Sequence, residues 1–116
     1  MTVNEVIKAL DLEVAAGRSG LGREIKWGYA SDLLSDVMAH ALEGTIWVTS
    51  QAHQNVVAVA LVIDAACVVI TEGIRPASDT IKRAESEGIP VLLSDLSTFE
   101  VVGRLYQLGV RGGQRS

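Results

Sequence analysis

The chain lacks most of the residues that would cross-link it or supply a ready-made site. It has a single cysteine, two prolines and only 4% aromatic residues. One cysteine excludes an intrachain disulfide and any multi-cysteine zinc site. Cys67 stands between Ala66 and Val68-Val69-Ile70, the setting of a buried strand residue rather than of a reactive thiol. There is no basic cluster, and 10 basic residues against 14 acidic ones leave a net charge of −4. Phosphate neutralisation supplies most of the affinity for nucleic acid, so no nucleic-acid partner is expected. Long hydrophobic runs are also missing. The longest, Val56 to Ile70, is broken by Asp64 and falls short of the roughly 20 apolar residues a bilayer requires. The opening Met1-Thr-Val-Asn-Glu-Val has neither a basic n-region nor an apolar h-region. A cytoplasmic domain without membrane contact is the expectation. No complete catalytic motif is present.

What the chain does have is aliphatic content. Hydrophobic residues make up 48% of its 116 positions, so Val, Ile, Leu and Ala must build the core. A single domain of this size hides roughly two-thirds of its unfolded surface. A mean hydropathy of +0.29 is high for so small a molecule and points to a surface covered by a partner.

Three short apolar runs end in small polar residues: 44–50, 67–73 and 90–95. The segments between them are long enough for crossover helices, which implies a parallel sheet. Thr2 with Glu5 has capping-box spacing and starts a helix with Val3, Val6, Ile7 and Leu10 on one face. Short strands are expected at 12–15 and 24–29, separated by a glycine-rich turn. A helix capped by Ser31 or Asp32 runs through Leu33, Leu34, Val37, Met38 and Leu42, and Gly44 stops it. Segment 55–63 is rich in β-branched residues, but it is read as helix because consecutive parallel strands need a crossover. Its apolar residues encircle the helix, so both sides must be covered, and a second copy of the chain is the expected cover. An amphipathic helix follows at 77–88. A last helix capped by Ser97 or Thr98 is expected to turn Phe99, Val102, Leu105, Tyr106 and Leu108 inward. Together these elements give an α/β fold, a layered α/β/α domain with a mostly parallel central sheet. It covers residues 1–109, and 110–116 is a flexible C-terminal tail.

Open parallel sheets bind ligands beyond the carboxyl ends of their strands. The residues expected there and assigned to ligand binding are Thr49, Ser50, His53, Asn55, Thr71, Gly73 and Arg75. Arg75 lies between a strand end and a helix start, where backbone N–H groups attract anions and a guanidinium adds a forked donor. His53 offers a base or a donor. A structural reading competes: Ser50 and Asn55 cap a helix, Gly73 turns the chain, and Arg75 pairs with a surface acid. Gly17-Arg-Ser-Gly-Leu-Gly-Arg23-Glu24 approaches a phosphate loop, but Arg23 and Glu24 replace the lysine and the hydroxyl residue that such a loop needs. A glycine-rich turn accounts for it. Asp32 and Asp36, one helical turn apart, are too few for a metal site. No catalytic residue, metal or cofactor is assigned.

Three segments together resemble the DRTGG domain family: Gly28-Tyr-Ala-Ser-Asp-Leu-Leu-Ser-Asp-Val-Met38, Trp47-Val-Thr-Ser-Gln-Ala-His-Gln-Asn-Val-Val-Ala-Val-Ala60, and the strand into Gly73-Ile-Arg-Pro76. The family's name-giving string is absent, and Glu72-Gly-Ile-Arg-Pro76 is the nearest stretch. The resemblance implies an α/β domain similar to the N-terminal domain of HPr kinase. Such domains occur alone, beside CBS modules in pyrophosphatases, or fused to phosphotransacetylase, as regulatory and dimerising units. The resulting expectation is a non-catalytic regulatory homodimer that senses a small anionic ligand such as a nucleotide, or that binds a protein partner. The alternatives are a phosphotransfer or hydrolytic enzyme related to HPr kinase and a pure protein–protein adaptor.

Overall fold

A computed structural model describes residues 1–115. The elements in chain order are α1 (Val3–Leu10), β1 (Glu13–Ala16), a 3-10 turn (Arg18–Gly20), β2 (Trp27–Ala30), α2 (Leu34–His40), β3 (Thr45–Thr49), α3 (Gln54–Ile63), β4 (Cys67–Ile70), α4 (Ser78–Glu87), β5 (Val91–Leu93) and α5 (Thr98–Gln107). The sheet runs β1-β5-β4-β3-β2. Strands β2 to β5 are mutually parallel, and β1 joins β5 antiparallel at the edge.

The strand order advances one step at each crossover, so α2, α3 and α4 share one face. Their core contains Val37, Val56, Val57, Ala60, Ala84 and the sheet residues Trp47, Val68 and Ile70. The opposite face carries α1 and α5, through Val3, Val6, Val101 and Leu105 against Ile46, Val48, Val69 and Leu92. This is the expected α/β/α layering. Strands β3, β4 and β5 are buried along their whole length. They lie covered on both sides, as their unbroken apolar runs require. Cys67 is fully buried, and burial pushes its thiol pKa up.

Helix α1 opens with the expected capping box: Thr2 Oγ1 accepts from the Glu5 N–H and Glu5 Oε1 accepts from the Thr2 N–H. Ser97 rather than Thr98 caps α5, accepting from the Glu100 N–H at 3.2 Å.

Four differences from the sequence reading have physical causes. Helix α3 is covered mainly by its own chain. Val56, Val57, Val59, Ala60 and Ile63 are buried against the sheet and between α2 and α4. Val62 is the large apolar side chain of α3 left outside, 67% exposed. Helix α5 behaves in the opposite way, with Val101 and Leu105 buried while Phe99 and Tyr106 are 85% and 58% exposed. It lies flat on β2 and β3, and a narrow stripe is enough to cover them. Helix α2 ends at His40, short of Leu42, because Ala41 turns extended and pairs with Gln114 while the Arg115 N–H takes the His40 carbonyl. Those two bonds belong to the expected free tail. Residues 110–115 instead run along the outer edge of β2, where Gly28 bridges Gly112 and the Gly28 N–H donates to the Arg111 carbonyl. Ser116 lies outside the described residues.

Candidate ligand site at the strand ends

The carboxyl ends of β3, β4 and β5 open on one edge, and two kinds of polar residue stand there. The first kind is internally satisfied. Asp32, in the loop after β2, reaches the loop after β3 rather than capping α2. Its carboxylate accepts from the Thr49 hydroxyl (2.8 Å), the Ser50 N–H (2.7 Å) and the Ser50 hydroxyl (2.8 Å). Partial desolvation pushes the Asp32 carboxyl up, but the bonds from Ser50 and Thr49 outweigh it and leave its pKa below the ordinary value. Thr49 Oγ1 also accepts from the Gln51 N–H. Asp36 takes separate partners: its carboxylate accepts from the Tyr29 hydroxyl at 2.8 Å and lies 3.0 Å from His40 Nδ1. The Tyr29 hydroxyl bond, chiefly, holds Asp36 below the usual carboxylate range. The two aspartates therefore do not converge.

Thr71, at the end of β4, is buried, with its hydroxyl 2.7 Å from that of Thr98. Glu72 adopts φ +66° and accepts from the Thr98 N–H, which ties β4 to the start of α5. Gly73, at φ +71°, donates its N–H to the Ser94 carbonyl. Its left-handed backbone is what calls for glycine there.

The second kind is open. His53, Gln54, Arg75 and Asp79 line a cleft of ≈ 350 Å³ with Ala52, Ala77 and Thr80. His53 stands at the N-cap of α3 and Ala77 at the N-cap of α4, and neither cap residue's side chain bonds to its helix. The first N–H groups of a helix have no intrahelical partner. The Val56 N–H is taken here by the His53 carbonyl and the Thr80 N–H by Asp79, which leaves the first two N–H groups of each ten-residue helix, and the positive dipole end of α3, beside this cleft. Thr80 Oγ1 donates to the Ala52 carbonyl at 3.1 Å and fixes the two helix starts relative to each other. The Asp79 carboxylate faces the same space, with Oδ1 taken by the Thr80 N–H.

Arg75 is held from its other side by Glu13 of β1, in a bidentate pair of 3.1 and 2.6 Å. The pair is solvent-exposed. The Arg75 bond holds the Glu13 carboxyl below its ordinary value, and the same bond raises Arg75. Arg75 also borders a second, more polar cleft of ≈ 170 Å³ with Asp11, Glu13, Gly73, Ser94 and Asp95. Three carboxylates make that cleft hostile to anions.

Of the seven residues assigned from sequence, the structure brings His53 and Arg75 into one cleft and places Gly73 beside Arg75 in the other. Thr49, Ser50 and Thr71 are engaged inside the protein, and Asn55 lines neither cleft. Sequence reasoning missed Asp79 and Thr80, which line the cleft beside His53 and Gln54. The Ala-Ser-Asp-Thr start of α4 was the available signal.

The glycine-rich stretch is structural. Gly17 has φ +78°, and a Cβ there would sit 2.1 Å from the Ile89 carbonyl oxygen. Arg23 donates to the Asp64 carboxylate and to the Asp64 and Ala65 carbonyls, closing the C-terminal end of α3. A smaller, mainly apolar cleft of ≈ 130 Å³ lies between β2, α5 and the tail. Its one cation, Arg111, is stacked 3.7 Å from the Tyr106 ring centroid and bonded to the Tyr106 and Val110 carbonyls. No helix among the described residues is long and apolar enough to cross a membrane.

The molecule is thus an α/β/α domain whose polar edge lies at the strand ends. Residues 5–108 match the DRTGG domain, and the chain belongs to that family. Among solved structures it is similar to the CBS and DRTGG domains of the regulatory region of Clostridium perfringens pyrophosphatase, complexed with the activator diadenosine tetraphosphate. The TM-score is 0.71 at 15% identity, over 91% of this chain and 46% of that one. The present chain therefore spans about half the length of that regulatory region. No curated protein matches the chain.

Proposed function

We propose that this chain is a non-catalytic, cytoplasmic regulatory domain that works as a homodimer and senses a small anionic ligand, a nucleotide, in the cleft between the starts of α3 and α4. The observation that carries the reading is the convergence of Arg75, His53 and the starts of α3 and α4 on one opening. Helix N-termini favour anions, and a guanidinium adds forked donors. Asp79 in the same wall favours a ligand with a donor group beside its anionic one, which an adenine nucleotide provides. The exposed Glu13 pair keeps Arg75 ready: a phosphate displaces one carboxylate in favour of another anion. Family membership supports a regulatory role, as does the nucleotide activator bound to the pyrophosphatase region of like fold.

The enzyme alternative rests on the resemblance to HPr kinase alone: Gly17 and Arg23, in the stretch that approaches a phosphate loop, have structural tasks. Thermal-shift measurements with ATP, AMP, diadenosine tetraphosphate and inorganic phosphate test the reading. A ligand that binds only the native state raises the melting point, and Arg75→Ala is expected to reduce the shift. No shift with any probe contradicts nucleotide sensing. Phosphate release that depends on Arg75 replaces it with an enzymatic reading.

A further inference from the structure

We infer that α5 is the surface through which two copies of this chain pair, the helices lying antiparallel about a two-fold axis near Gly103. This rests on the dimer part of the reading above and names its interface; it does not depend on the ligand cleft. Phe99, Val102 and Tyr106 fall at i, i+3 and i+7 and are 85%, 39% and 58% exposed. They form one stripe along the outer side of a helix whose Val101 and Leu105 already serve the core, apolar except where the Arg111 guanidinium stacks on one face of the Tyr106 ring. Scattered exposed apolar residues need no explanation, but a continuous stripe of large ones marks an interaction surface.

Gly103 supplies the second observation. It lies in the middle of α5, where glycine is a poor helix former. Its φ is not positive, and a Cβ there would meet no atom within 4 Å. Neither backbone geometry nor intrachain packing calls for glycine at this position. The close approach of another helix does.

Charge selects a second copy as the occupant. Glu100 and Arg104 flank the stripe on its other side and form only a long, exposed intrachain pair of 3.3 Å. A two-fold axis near Gly103 lays Phe99 of one copy beside Tyr106 of the other and brings Glu100 of each opposite Arg104 of its mate. The apolar flank meets itself and the charged flank meets its complement, as an isologous interface demands. The alternative cover expected from sequence, α3, is already enclosed by its own chain.

Sedimentation velocity of the full chain at micromolar concentration tests this, with circular dichroism and melting as controls for folding. The wild-type chain is expected to be a dimer. Gly103→Arg fills open space in the monomer and should keep the fold while raising the dissociation constant at least ~10-fold, as loss of a central contact does. Glu100→Arg should weaken the dimer, and Glu100→Arg combined with Arg104→Glu should restore it, so the answer does not depend on one variant folding. A dimer insensitive to all of these overturns the α5 interface and leaves dimerisation standing. A wild-type monomer overturns both. In either case calorimetry with ATP still reports on the cleft, because one chain supplies all its residues.

Discussion

The two halves of the strand-end edge start from similar sequence material and end differently. Beyond β3, Thr49 and Ser50 are tied to Asp32 by three hydrogen bonds. Beyond the start of α3 and around the loop after β4, His53 and Gln54 are exposed and Arg75 is held only by a surface carboxylate. Hydroxyls and carboxylates near a sheet edge can be structural or available for a ligand, and residue type does not distinguish the two. What distinguishes them is whether the backbone brings a complementary group within reach. Asp32 closes one half. The other half is tied only at its rim, by Glu13 on Arg75 and by Asp79 and the Ala52 carbonyl on Thr80, and the cleft between the two helix starts stays open.

Substitutions should separate these roles. The largest effect is expected in the glycine-rich loop. Gly17→Ala must escape both a left-handed backbone and a clash with the Ile89 carbonyl, and should cost roughly 3 kcal/mol in urea unfolding. A neutral result would contradict the structural reading of that loop. Asp32→Ala leaves the buried Thr49 hydroxyl without its acceptor. It should cost about 1.5 kcal/mol, limited because Asp32 itself is solvent-accessible, with ATP affinity unchanged. Arg75→Ala should do the reverse, with melting nearly unchanged and nucleotide affinity down roughly 10-fold, the usual worth of a hydrogen bond to a charged group. If instead Arg75→Ala unfolds the chain and Asp32→Ala abolishes binding, the assignment of the two halves is inverted.

The smallest effect is in pH dependence. The Asp32 pKa is depressed in the folded chain. Its stabilisation is therefore present above the unfolded value, 3.8 for an ordinary aspartate, and is lost as pH falls through the lower folded value. Asp32→Asn should flatten that part of the acid limb of melting against pH, and an unaltered limb would show that the network does not hold the carboxylate ionised.

Much of this was legible from the chain itself. The parallel core followed from three apolar runs and the crossovers between them. Helix α3 was read correctly against its β-branched composition because topology demanded a connection. Helix α5 was misread in orientation: it carries two apolar rows, 101/105 and 99/102/106, and periodicity alone cannot say which row meets the sheet. The tail's place beside β2 was hidden because its pairing runs through backbone bonds of Gly28 and Ala41, which leave no side-chain signature. The strand-end rule located the edge that holds His53 and Arg75. It could not foresee that Thr49, Ser50 and Thr71 would be engaged, since Asp32 and Thr98 reach them from 17 to 27 positions away in sequence.

The most direct test of the central claim is a titration of the isotope-labelled chain with ATP followed by backbone amide NMR. The account predicts saturable shifts concentrated at 52–54 and 75–80, small changes at 49–50, and the same pattern reached only at roughly 10-fold higher ATP in Arg75→Ala. Shifts centred instead on Gly28–Ala30 and Tyr106, beside the apolar cleft, or no saturable shift at all, would contradict it.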